Sequence, residues 1–457
     1  MEKASDQEAE MIFSKVLEDI KPSPSEIKET TRRVNNLMML LKQIVPNDVE
    51  LRVAGSIARG TNLRGDADVD IFMLFNKKMK RDRIVKLGLE YGKGVIKKEK
   101  GRFEVKYAEH PYIRLYLDSV GMKADIVPAL KIDNIEEMGT TVDRTPLHTE
   151  FINSNLSARQ RDEVRILKYL LKAHSIYGAE VKTNGFSGYL CELLVHHYGS
   201  LHNLLLSAAK FRLPLIIEPK QKRESHEDDV AKRFSSKFVV IDPVDPNRNV
   251  AAGVSAESLS RFVIIARQFV AKPSIGMFKG RMNELRHYSS FSNFLKSSGI
   301  DSFMLEAKVS DKSEDVVYPQ LRKIGNMISE RAERTGFNVY VTVQFISAGK
   351  GYIALLAQST DLRTRLVKGP DAFIPEASKS FIDAHKKSDG IMVRGTTLFA
   401  LDSNKYDNIE KILKEVALGR YVKSSDVRLK GAKTYMNAVP KAVEKELIKE
   451  IDKKLVL

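Results

Sequence analysis

One stretch, Ala54 to Phe75, AGSIARGTNLRGDADVDIFMLF, limits what this chain can fold into more than any other. It opens on Gly55-Ser56 and closes on Asp68-Val69-Asp70, which runs into the apolar Ile71-Phe72-Met73-Leu74-Phe75. A short apolar run of this kind behind a Gly-rich turn predicts a buried strand. Strand side chains alternate faces, so Asp68 and Asp70 project from one side. Two carboxylates that close repel each other unless a cation lies between them. A hard divalent cation such as Mg²⁺ takes oxygen ligands and keeps room for phosphate oxygens. Gly55-Ser56 offers backbone N–H groups and a hydroxyl, a means of cradling those phosphates. Together the parts describe a place where metal and nucleoside triphosphate meet.

A third carboxylate follows. Tyr112 to Ser119 and Lys123 to Val127 predict a strand pair turning near Gly121, with Asp125 on its second member. An unpaired carboxylate on an apolar strand is costly. A metal shared with Asp68 and Asp70 gives it a reason to be there; a hydrogen-bonded surface Asp is the plainer alternative. Three carboxylates around two cations suit an in-line displacement at phosphorus. In that scheme a hydroxyl attacks the α-phosphate of a nucleoside triphosphate and pyrophosphate leaves. Ser56 would hold the departing phosphates and Arg59 would add charge.

The partner is suggested by charge. Across 457 residues, 75 Lys and Arg outnumber 59 Asp and Glu, a net charge of +16. A polyanion, nucleic acid first, explains such an excess. Residues 385–457 carry 16 Lys or Arg against 10 Asp or Glu. Cys191 is the single cysteine, so an intrachain disulfide and a Cys-rich zinc site are excluded. MEKASDQEAE lacks the apolar core of a secretory signal, and no apolar run approaches the ~20 residues that span a bilayer. A soluble cytoplasmic protein without a membrane partner is expected.

Further elements follow from periodicity. Residues 8–20 and a helix begun by Ser23-Pro24-Ser25-Glu26 are expected to cover the sheet. Val49, Leu51 and Val53 predict a strand entering Gly55. Lys77 to Lys106 reads as a basic, solvated, mobile helix-and-loop segment. Arg161 to Ala173 predicts a helix with Lys168 off its apolar face, and Ser187 a cap for the next, which carries Cys191 as a core residue. Glu218 to Ser236 reads as a surface loop, Ala256 to Ala271 as a helix. Val339 to Phe345 and Ile353 to Leu356 predict a hairpin beside a helix at Tyr318 to Arg334. Lys368-Gly369-Pro370-Asp371-Ala372 is expected to begin a helix at phosphates, or to be a plain turn.

The chain resembles a known family. Its GS…DVD pattern is similar to nucleotidyltransferases of the polymerase-β kind. GSIARGTNLRGDADVDIF (55–72), VDRTPLHTEFI (142–152), VRILKYLLKAHSIYGAEVKTNGFSGYLCELL (164–194) and IDPVDPNRNVAAGVS (241–255) narrow it to class I, archaeal-type CCA-adding enzymes. The resemblance spans about residues 25–270 and thins beyond. It implies template-independent addition of C, C and A to the 3′ end of tRNA from CTP and ATP. It makes Asp68, Asp70 and Asp125 catalytic ligands of two Mg²⁺ ions. It implies that Gly55, Ser56, Arg59, His148, Lys168, Tyr177 and Arg248 bind the nucleotide, with Arg248 at the base edge. Many relatives carry Glu where this chain has Asp68. From residue type alone, His148 could cap a turn, Lys168 could be solvated and Tyr177 could simply pack. Rival functions are a poly(A)-polymerase-like enzyme and a non-catalytic RNA binder on a relic fold.

The expected architecture is α+β: a nucleotidyltransferase head at 1–148, a helical central domain at 149–272 and an α/β RNA-binding region at 273–457. Basic side chains of that last region would neutralise tRNA phosphates. A homodimer is allowed; nothing in the residues sets the oligomeric state.

Overall fold

The computed structural model describes residues 2–66, 68–98, 101–107, 111–117, 122–220, 227–279, 293, 295, 297–358, 364–404, 406, 408–419, 424–437 and 440–454. Contacts divide the chain into two units, Met1–Arg281 and Met282–Leu457.

The first unit begins with α1 (Glu2–Ile20) and α2 (Pro24–Lys42). Ser23 caps α2: its hydroxyl accepts from Glu26 N–H while the Glu26 carboxylate accepts from Ser23 N–H. Then come β1 (Glu50–Ala54), the short helix α3 (Gly55–Arg59), β2 (Asp68–Phe75), α4 (Arg81–Lys98), β3 (Arg102–Tyr107), β4 (Pro111–Leu117) and β5 (Met122–Leu130). The strands form one sheet in the order β1-β2-β5-β4-β3, with β2 and β5 parallel. Helix α2 lays Val34, Leu37 and Leu41 against Val69, Ile71 and Met73 of the sheet.

Lys77 to Lys106 is not a solvated segment. Helix α4 buries Ile84 and Val95 completely, each burial contributing about 2 kcal/mol. Gly88 and Gly92 let it press close: a Cβ at Gly88 would come within 2.5 Å of Pro128, and one at Gly92 within 2.9 Å of Ile113. The many lysines hid a sparse apolar stripe of small residues. The expected turn at Gly121 lies outside the described residues.

Helices α5 (Thr145–Asn155), α6 (Ala158–Ala173), α7 (Gly188–Tyr198), α8 (Leu201–Ala208) and α10 (Ala256–Ala271) build the second layer, with β6 (Leu215–Ile217), α9 (Glu227–Arg233) and β7 (Phe238–Val240) between the last two. Helix α9 forms within the stretch expected to be loop. Ser187 accepts from Leu190 N–H and caps α7 as expected. Helix α1 does not cover the sheet. Its Phe13, Val16 and Ile20 join Val164, Leu167 and Phe269 in the helical core, Phe13 stacking on Phe269 at 5.4 Å. Periodicity gives the buried stripe of a helix and not its partner.

The second unit contains β8 (Ile300–Val309), α11 (Glu314–Arg334), β9 (Val339–Ser347), β10 (Lys350–Gln358), β11 (Thr364–Asp371), α12 (Pro375–Ala384), β12 (Gly390–Arg394), β13 (Thr397–Ser403), α13 (Ile409–Ala417), β14 (Val427–Met436) and α14 (Glu444–Asp452). Its sheets run β14-β8-β10-β9 and β11-β13-β12. The expected hairpin is β9–β10. Lys368 to Asp371 ends a strand, and the helix begins only at Pro375. Among the described residues no helix is long and apolar enough to cross a membrane.

Candidate active site

The parallel β2–β5 ladder pairs Asp70 with Asp125 and Asp68 with Lys123. Register partners share a face, so the three carboxylates stand on one side of the sheet. The same row continues to Arg114 on β4 and Glu104 on β3. Burial, then the nearby charge of Asp125, then that of Asp68, push the Asp70 carboxyl up to about 6, against the pull of Arg59 and Arg114. Two acidic groups in contact with too little positive charge suit a hard cation, and their oxygens are the right donors. Asp125 is turned sideways, however. Both its oxygens accept from Arg114, Nε at 2.7 Å and Nη2 at 2.7 Å. Among the described residues no group of three metal-ligating side chains is gathered closely enough to hold an ion.

Gly55 lies directly over Asp70. It sits at φ +72°, and a Cβ there would fall 1.9 Å from Asp70 Oδ2. Ser56 is half-buried in the same turn. Arg59, one turn on, donates from Nε to the Gly55 carbonyl at 3.0 Å and from Nη1 to Glu192 Oε2 at 2.6 Å. Its guanidinium lies 5.9 Å from the centre of the Tyr189 ring.

Lys168 is buried, at 2% exposure, and not solvated. Its ammonium donates to the Thr61 carbonyl at 3.1 Å and the Thr61 hydroxyl at 3.0 Å, with Glu192 at 3.6 Å. Thr61 in turn donates to Glu192 Oε1 at 2.5 Å. Glu192 is wholly buried, so this one carboxylate gathers Arg59, Thr61 and Lys168. Burial lowers the Lys168 pKa, with Glu192 opposing it. Tyr177 is near: a Cβ at Gly188 would sit 3.1 Å from its hydroxyl and 3.4 Å from Lys168 Nζ. Cys191 is buried beside them, its thiol pushed up to about 12 by burial; it is a core residue.

His148 and Arg248 meet on a second buried acid. His148 Nε2 lies 2.8 Å from Asp242 Oδ2, and Arg248 Nη1 donates to the same oxygen at 2.9 Å. Tyr189 donates to Asp242 Oδ1 at 3.1 Å and stacks on His148 at 4.1 Å. Burial opposes ionisation of Asp242, but hydrogen bonds from His148, Val244 N–H and Arg248 outweigh it and hold the carboxyl below the usual range. Burial lowers the His148 pKa despite Asp242. Nε2 of the ring faces the carboxylate. Arg144 pairs with Asp245 at 3.0 Å on the same loop.

The predicted residues thus fall into three adjoining groups: Gly55 with the carboxylates, Arg59 with Lys168 and Tyr177, and His148 with Arg248. Arg59 and Tyr189 join the groups. Reading the sequence missed Arg114, Tyr189, Glu192 and Asp242. Glu192 and Asp242 lay in quoted motifs, and each is a carboxylate amid apolar residues, the signal that had flagged Asp125.

A CCA-adding enzyme from Methanocaldococcus jannaschii is 36% identical over 420 residues, covering 90% of this chain and 91% of that one. The chain belongs to the CCA-adding enzyme family. A CCA-adding enzyme of Thermococcus gammatolerans is 32% identical, with 96% of this chain and 97% of the other covered. Three family profiles match in series: a nucleotidyltransferase domain at 35–148, a tRNA nucleotidyltransferase second domain at 162–279 and a CCA-adding enzyme C-terminal domain at 300–428. A solved cytoplasmic RNA terminal U-transferase aligns at 18% identity and TM-score 0.47, covering 61% of this chain and 100% of that one. In this chain the nucleotidyltransferase match, 35–148, contains the carboxylate row, and the 162–279 match contains Lys168, Tyr177, Glu192, Asp242 and Arg248.

Proposed function

We propose that this chain adds C, C and A, one nucleotide at a time and without a template, to the 3′ end of tRNA from CTP and ATP. The observation that carries the chemistry is the register pairing of Asp70 with Asp125, with Asp68 on the same face. Asp68, Asp70 and Asp125 are the residues that would hold two Mg²⁺ ions, which supply positive charge to the reacting phosphate oxygens. The terminal RNA hydroxyl forms the new O–P bond at the α-phosphate, the bond to pyrophosphate breaks, and the hydroxyl proton leaves to solvent. Arg59, held by Glu192 and the Gly55 carbonyl, presents its remaining donors to the triphosphate, with Ser56 beside it. Lys168, bonded to Thr61, and Tyr177 stand behind them. His148 is held on Asp242 and faces the sugar, while Arg248 offers the base edge donors that cytosine and adenine accept differently.

Residues 1–148 form the catalytic head, 149–272 the helical nucleotide-binding part and 273–457 the tRNA-binding part in this scheme. Basic side chains of the last part neutralise tRNA phosphates, a contact weakened by salt. The work is done in the cytoplasm. Incubation with labelled CTP, ATP and a tRNA lacking its 3′ end tests the proposal. Two C followed by one A is expected; a run of A, or no incorporation, overturns it.

A further inference from the structure

We infer that Arg114 is an internal counter-cation that competes with the metal for Asp125, so that loading the site requires Arg114 to let go. The inference rests on Asp68, Asp70 and Asp125 being the metal ligands. Four observations support it.

First, the pairing leaves no oxygen of Asp125 unengaged. Both accept from the guanidinium in a two-pronged geometry, each at 2.7 Å. Such forks are the strongest of the side-chain ion pairs. Second, Arg114 is the register partner of Asp125 across β4–β5. The pair is therefore built into the sheet; it is not a chance meeting of two long side chains. Third, Asp70 is the register partner of Asp125 across β2–β5, with Asp68 on the same face, so a cation held by Asp68 and Asp70 would lie next to the Asp125–Arg114 pair.

Fourth, Arg114 has somewhere to go. The opposite neighbour in its row is Glu104 on edge strand β3, half exposed and ringed by Arg102, Lys106 and Tyr116. Arg114 thus stands between an acid at the reaction centre and an acid at the sheet edge. A cation arriving at Asp68 and Asp70 would repel the guanidinium toward the sheet edge, where Glu104 already pairs with Arg102 and Lys106 and where the Arg114 side chain, 32% exposed, meets water. A guanidinium keeps its charge at any working pH, so deprotonation does not free the carboxylate; displacement must. Arg114 is a positioning residue here: it acts through Asp125.

Direct metal binding tests this without any turnover. The full-length protein is titrated with Mn²⁺ alone and free Mn²⁺ is followed by electron paramagnetic resonance. Arg114→Gln is expected to bind Mn²⁺ roughly tenfold more tightly than the unaltered chain, the loss of one charge-assisted pair. Arg114→Lys keeps the charge without the fork and is expected to fall between the two. Thermal unfolding in EDTA checks that each variant folds; Mn²⁺ should raise the unfolding temperature of Arg114→Gln by more than that of the unaltered chain. Equal or weaker Mn²⁺ binding by folded Arg114→Gln overturns the inference while the carboxylate assignment stands. Mn²⁺ binding that survives Asp125→Asn undiminished overturns the assignment itself, and the inference with it.

Discussion

Replacing Gly55 by Ala isolates the geometry of the carboxylate row. The added Cβ would lie 1.9 Å from Asp70 Oδ2, while real Cβ atoms essentially never come closer than 3.0 Å. The carboxylate or the turn must therefore yield by at least 1.1 Å, the difference of those distances. A displacement of about 1 Å at a reacting centre costs on the order of 10²-fold in rate. A non-glycine residue at φ +72° costs in addition about 1–2 kcal/mol of stability, a fall of about 2–4 °C in the unfolding temperature of a unit this size. Gly60 is the control. It also has a left-handed backbone, at φ +63°, but a Cβ there meets nothing nearer than 3.5 Å, on the Arg161 side chain. Gly60→Ala should lose the same stability and keep its rate. Single-turnover incorporation of labelled CTP, with calorimetry beside it, reads both quantities. If the two alanine variants lose rate equally, the close approach of Gly55 to Asp70 has no part in catalysis.

Other consequences can be checked as simply. Asp70→Ala should abolish incorporation while leaving tRNA retention on a filter intact; equal loss of both would remove Asp70 from the chemistry. EDTA should stop transfer and added Mg²⁺ restore it, whereas transfer persisting in chelator would exclude the metal scheme. Glu192→Gln leaves Arg59 and Lys168 without their buried counter-charge and should cost about 3 kcal/mol in unfolding; a loss below about 1 kcal/mol would mean that water reaches the cluster. His148 is held below the unfolded value of about 6.5. As pH falls through that value the unfolded chain gains a proton that the folded chain refuses, so stability falls. Burial lowers His174 and His196 in the same way. His148→Gln should therefore blunt, and not abolish, the loss of unfolding temperature between pH 7.5 and about 5.5; an unaltered slope would show that His148 does not contribute.

The parts of this molecule that were legible beforehand are those written in local patterns. Ser23 with Glu26, Ser187 before an apolar run, and Asp68-Val69-Asp70 ahead of Ile71 each specify their structure within a few residues, and the coordinates agree. What escaped depends on distant partners. Lys168 looked solvated because it falls off the apolar face of α6, yet Thr61 and Glu192, remote in sequence, enclose it. Helix α1 showed an apolar stripe that fits sheet or helices equally well. Arg114 drew no notice because one Arg within a β-pattern is ordinary; only strand register reveals that it faces Asp125. Asp242 drew no notice between Ile241 and Pro243, yet it accepts from four directions.

Glu192 lies on α7, whereas Arg59 and Thr61 belong to the turn beneath the carboxylates. Were α7 to swing away, a dry anion and two dry cations would be parted at once. Glu192 accordingly ties the turn that carries Arg59 and Thr61 to the helical wall. Arg248, the residue proposed to meet the base, is held less tightly: its side chain keeps 30% of its surface open.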